Sequence, residues 1–172
     1  MYRIESVTPE RALVDALEQH LLTVYDDTVH DLLFVDMLTK ALERFGRATL
    51  RGVALKVLVA VACRLHRNGE VATAPFGHPP HPDPDIVNAH AAAIEAARAV
   101  PPVGCRSRSA ALKSLDVAAE QHGWDWYVLL MASSVVANML SVLEEPQLDD
   151  LDRGWTEHFV AELRTEFAGG GA

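Results

Sequence analysis

The densest group of metal-type ligands in the chain is the segment DDTVHD, which brings Asp26, Asp27, His30 and Asp31 together near the N-terminus. Spacings of three and four residues place side chains on one face of a helix, so these carboxylates and the imidazole can converge on one divalent cation. Oxygen-rich sets of this kind suit Mg²⁺ or Mn²⁺, and a metal held there would point to a metal-dependent, phosphohydrolase-like enzyme. The same residues have a simpler use. Thr28 and Asp31 stand as N-cap and N3 of a helix, where negative charge stabilises by about 0.3–1 kcal/mol without any metal. Capping is the favoured reading, no cofactor is expected, and a divalent metal at these four residues is the alternative.

A second group lies in HPPHPDPD, with His78, His81, Asp83 and Asp85, followed by His90 in the next helix. The residue types suit zinc, whose bonds to nitrogen are about 2 Å. A proline-rich stretch rises about 3.1 Å per residue, which sets His78 and His81 about 9 Å apart unless the chain turns sharply. The segment therefore reads as a stiff connector, with a lid or partner-contacting arm as the other use. DDTVHD also resembles the aspartate-rich motif of the terpene synthases, which implies diphosphate held through magnesium. The chain is far too short for that family, and Asn138, Ser141 and Glu145 match its second motif only loosely. His20 with His30-Asp31 is similar to the HD-domain phosphohydrolases, but the spacing is compressed and no distal aspartate completes the set. No Ser-His-Asp or Cys-His set and no glycine-rich phosphate loop is legible.

A third group is apolar. Leu151, Trp155, Phe159 and Leu163 recur every four residues in the last helix, as a face for the core or as anchors for a second copy. Ser133, Ala137 and Ser141 recur in the same way and form a seam of small side chains that admits another helix closely. Together these seven residues are the expected interface.

The element that positions everything else is the run WDWYVLLMASSVVANMLSVL, Trp124 to Leu143, the most apolar in the chain. Gly123 can stop the helix before it, Asp125 can cap it, and Pro146 must end it. Its length suits a membrane span, but serines and Asn138 interrupt it and no Lys or Arg flanks it, so it reads as a buried core helix. Tyr127, Ser134, Asn138 and Glu145 make a polar stripe on it, read as solvent-facing surface. The wall of a pocket or a polar helix contact is the alternative, in which Asn138 needs a hydrogen-bond partner. A second apolar helix, about residues 49–68, contains VALKVLVAVACRL. Around these two, about 49–68 and 125–145, five more helices are expected: one opened by Thr8-Pro9, one from Thr28 to Gly46, one from Asp83-Pro84, one from Ser109 to His122, and one from Asp149 to Phe167. The expected fold is all-α, a single domain over residues 1–167 with a glycine-rich tail at 168–172.

The composition agrees. With 172 residues, 49% of them hydrophobic, the chain can bury one real core. A net charge of −9 argues against direct nucleic-acid contact and leaves room for a basic partner. Cys63 and Cys105 do not form a disulfide framework, and MYRIESVTPE lacks the pattern of a signal peptide. Location in the cytoplasm is expected, with no membrane contact, and the arginine- and alanine-rich composition suggests a bacterial or phage genome. The functional expectation is a non-catalytic binding protein with a regulatory or assembly role through protein–protein contact, with a second copy in a homodimer as one candidate partner. The alternatives are the metal-dependent enzyme and a small-ligand sensor with a pocket between core helices.

Overall fold

Capping chemistry fixes where the helices begin. In the computed structural model, which describes residues 2–23, 29–66, 83–100, 108–144 and 153–168 (backbone alone for 29–31, 66 and 153), Thr8 is extended and its hydroxyl oxygen accepts the Arg11 N–H at 3.2 Å. Pro9 follows at the first helical position, and α1 spans Pro9–Leu22. α2, Val29–Phe45, stops at Gly46, whose φ of +81° is a conformation open to glycine. Gly46 is also the N-cap of α3, Arg47–Ala62, so the two helices meet without a loop. The expected start at Thr49 was late because Gly46 has already turned the chain. A 3₁₀ turn, Cys63–His66, follows α3, which places Cys63 at the end of that helix and not within it.

The Asp83 carboxylate accepts the Asp85 N–H at 2.9 Å and opens α4, Pro84–Ala99. α5, Arg108–His122, stops at Gly123, with φ +68°. Trp124 is buried there and stacks on His122, ring centroids 4.7 Å apart. The Asp125 carboxylate then accepts the Val128 N–H at 3.0 Å and starts α6, Trp126–Glu144. α7 is Arg153–Ala168. Among the described residues the chain is all-α, with seven α-helices.

α6 packs against α3, α4 and α1, and α3 also touches α1, α2, α4 and α5. These two are the central helices, as their apolar runs require. Among the described residues α6 alone is long and apolar enough to cross a membrane, and most of it is buried inside the bundle. Full burial of a leucine stabilises by about 1.5–3 kcal/mol, and α6 buries Leu129, Leu130 and Leu140 completely or nearly so. The seam of Ser133, Ala137 and Ser141 is buried too, and the Ser133 hydroxyl donates to the Leu129 carbonyl at 3.2 Å. α4, packed on α6, buries Ala89, Ala92, Ala93 and Ala96, so small side chains let these helices approach closely. Asn138 is exposed, in line with a solvent-facing strip, and needs no partner inside the bundle. The outward face of α6 is narrow, and Asn138 lies on it with Val142.

α7 packs on α1 and fills the core with its aromatic stripe. Trp155, Phe159 and Leu163 are 7%, 4% and 0% exposed, while Leu151 lies outside the described residues. The Trp155 indole N–H donates to Glu144 Oε2 at 2.7 Å, its ring stacks on Phe159 at 4.9 Å, and the Arg64 guanidinium lies 5.5 Å over Phe159. Arg64 also pairs with Glu162. In this fold the three described side chains of the stripe are spent on the chain's own core.

Two glycines separate backbone strain from space. A methyl group at Gly46 or Gly52 would meet nothing within 4 Å. Gly46→Ala should nonetheless destabilise by about 1–3 kcal/mol, because its φ and ψ belong to a glycine-only region. Gly52→Ala, in the exposed face of α3, should stabilise by about 0.5–1 kcal/mol through helix propensity. Urea midpoints of the two variants should move in opposite directions; a shared direction would refute this account.

Candidate functional site

The N-terminal segment supplies the first wall of a site. Ile4 is buried, the Val7 N–H donates to the Ile4 carbonyl at 3.2 Å, and Lys40 and Arg44 donate to the Tyr2 and Glu5 carbonyls. These bonds fasten residues 2–7 beside α2 and carry the segment into α1. Between it, α1, α3 and α7 lies an open cleft of about 740 Å³.

Its charged lining is four cations, Arg3, Arg11, Lys56 and Arg164, against two carboxylates, Glu10 and Asp15. That is a surplus of two positive charges in a chain whose net charge is −9. The N-terminus of α1 also opens here, through Ser6, Val7 and Thr8, and its dipole adds partial positive charge.

The four cations are not equally engaged. Asp15 accepts from three donors: the Tyr2 hydroxyl at 2.8 Å, Arg11 Nε at 2.9 Å and Arg164 Nη2 at 2.7 Å. Arg164 also donates to Glu18 at 2.9 Å, so this one guanidinium ties α7 to α1 through two carboxylates. Burial, then the hydrogen bond to Asp15 and its charge, pushes the Tyr2 phenol well above the ordinary tyrosine range, which keeps it a donor. Lys56 stands apart: its Nζ is 3.8 Å from Glu10, beyond direct hydrogen-bond distance, and its side chain is half exposed. Arg3 is exposed and makes no ion pair or hydrogen bond among the described residues.

The residues singled out by sequence lie elsewhere. Asp26 and Asp27 fall outside the described residues, as do the side chains of His30 and Asp31 and the whole of His78 and His81. Asp83 is a helix cap, and the His90 ring Nδ1 lies 3.0 Å from the Ile86 carbonyl of its own helix. Among the described residues no three His, Cys, Asp or Glu side chains are grouped to hold a metal. Tyr127 is half-buried, and burial, then the nearby Asp85, Asp83 and Asp125, raises its phenol. Cys63 is a free, half-buried thiol that burial pushes up against the opposing pull of Arg108. Cys105 lies outside the described residues. Sequence reasoning passed over Arg3, Lys56 and Arg164, which share no local motif and meet only through the packing of α1, α3 and α7.

The Tyr2–Asp15 bond gives a pH-dependent expectation. A raised phenol favours the folded state while protonated, so its contribution is complete below the ordinary value of about 10 and declines as pH rises above it. The Tm advantage of the wild type over Tyr2→Phe should hold steady through neutral pH and shrink beyond about pH 10. An advantage that grows in alkali would refute the assignment.

Comparison with models of protein families, with curated proteins and with solved structures found no match to this chain.

Proposed function

We propose that this chain is a non-catalytic binding protein with a regulatory role in the cytoplasm, and that it works by taking an anionic group into the cleft between its N-terminal segment, α1, α3 and α7. The observation that carries this reading is the local reversal of charge, in which Arg3 and Lys56 stand free or loosely paired on the cleft wall of an acidic chain. Free or loosely paired cations beside a helix N-terminus favour anions, and walls that exclude part of the solvent strengthen the attraction. The reading belongs with the expected small-ligand sensor, although no residue of α6 lines the cleft.

Inorganic phosphate is the probe for the anion site. Amide resonances of residues 6–11 should shift saturably with millimolar phosphate, and added NaCl should weaken the effect by screening. Arg3→Ala combined with Lys56→Ala should abolish it, and both side chains are exposed enough to be removed without unfolding the chain. Equal shifts in the double variant, or none in the wild type, would overturn the proposal.

A second reading, assembly through protein contact, has a separate observation in its favour. Leu32 is 76% and Val35 56% exposed, neighbours on the outer face of α2, which packs on α1 and α3 with its other side. The proposed partner is a second copy. Sedimentation at micromolar concentration should show a dimer that Leu32→Glu with Val35→Glu converts to a monomer of unchanged helicity. A wild-type monomer at every concentration would refute self-assembly through this face.

A further inference from the structure

We infer that the ligand of the cleft is a small amphipathic anion, with a phosphate or carboxylate head between Arg3 and Lys56 and an apolar body against Val7 and Phe167. The inference rests on the reading of the cleft as an anion site and adds the class of molecule that fills it.

Three observations lead to it. First, the cations divide by engagement: Arg11 and Arg164 are held by Asp15, and Arg164 by Glu18 as well. An incoming anion would have to break those bonds to use them. Arg3 has no such bond, and Lys56 faces only Glu10 across 3.8 Å, so these two are available without cost to the web at Asp15. Two cations match one phosphate or carboxylate head. Second, part of the remaining wall, beside Ser6, Thr8 and Glu10, is apolar. Val7 and Phe167 line it half-buried, which leaves carbon surface for a ligand to cover. A bare inorganic ion would use none of it. Third, about 740 Å³ is the volume of a small-molecule site and too little for a folded partner to enter. The apolar side chains, Arg3 and the loosely paired Lys56 line the same opening, so one molecule can meet them together.

Phenyl phosphate, inorganic phosphate and benzyl alcohol separate the parts of the argument. In amide-shift titrations phenyl phosphate should bind roughly tenfold more tightly than inorganic phosphate, as expected for partial burial of one ring. Its shifts should extend to Phe167, and benzyl alcohol should produce none. Phe167→Ala should reduce phenyl phosphate to the affinity of inorganic phosphate while leaving the latter unchanged, which also shows that the variant is folded. Equal affinity of phenyl phosphate and inorganic phosphate in the wild type would overturn this inference and leave the anion site standing. Failure of both anions would remove the anion site and the inference together. Binding of benzyl alcohol as tight as that of phenyl phosphate would show that the charged head does nothing, and would overturn both.

Discussion

The fold depends on the enclosure of α6. A helix this apolar cannot leave more than a narrow strip in water, so other helices must cover nearly its whole circumference. α3 and α4 do most of this, and α1 completes it. The small side chains of α6 and α4 matter as much as the large ones: Ser133, Ala137 and Ser141 on one, Ala89, Ala92, Ala93 and Ala96 on the other, allow close approach. Dispersion contacts weaken steeply with distance, so axes held apart by bulky residues at these positions would forfeit much of the packing. Of the two hydroxyls in the α6 seam, that of Ser133 is satisfied by its own helix and asks nothing of its neighbours.

The outer helices are fastened by charge over apolar contact. α7 lies on α1 with Trp155, Phe159, Val160 and Leu163 buried, and its polar side is stitched by Arg164 to Asp15 and Glu18 and by Arg64 to Glu162. These pairs are largely buried, and they fix the register of α7 on its neighbours. Asp15 is the hinge of the arrangement, because three donors from three parts of the chain converge on one carboxylate. Satisfying Asp15 so fully is what leaves Lys56 and Arg3 outside the web. The surplus of positive charge in the cleft is therefore a consequence of how α7 is held, and the site and the fold share one set of bonds.

Much of the helix framework was legible because its signals are local. Thr8-Pro9, Asp83-Pro84, Gly123 and Asp125 each act through bonds or dihedral preferences within a few residues, and each does in the structure what its type implies. The start of α3 was misjudged because Thr49 and Gly46 both carry helix-start chemistry and only the backbone at Gly46 decides between them. Asn138 is open to two readings, surface or polar contact, for a different reason. Apolar residues on nearly every side of the run hide which strip faces out, and that strip is set by the neighbours α6 acquires, not by α6 itself. The aromatic stripe of α7 was correctly seen as an amphipathic face, and it is the chain's own core that takes Trp155, Phe159 and Leu163.

The cleft was not legible at all, and the cause is topological. Arg3 precedes the first helix, Lys56 lies in the middle of α3 and Arg164 near the end of α7. Each reads in isolation as an ordinary solvated charge on a polar helix face or terminus. Their meaning arises only when α1 packs on both α3 and α7, which sets cations from distant parts of the chain around one opening. Sequence motifs are found where chemistry is contiguous, as in DDTVHD and HPPHPDPD, and attention goes first to such clusters. A site assembled from single residues on separate helices leaves no such mark. In an acidic chain its surest sign is an electrostatic one, positive charges gathered where the average charge is negative, and that sign exists only in three dimensions.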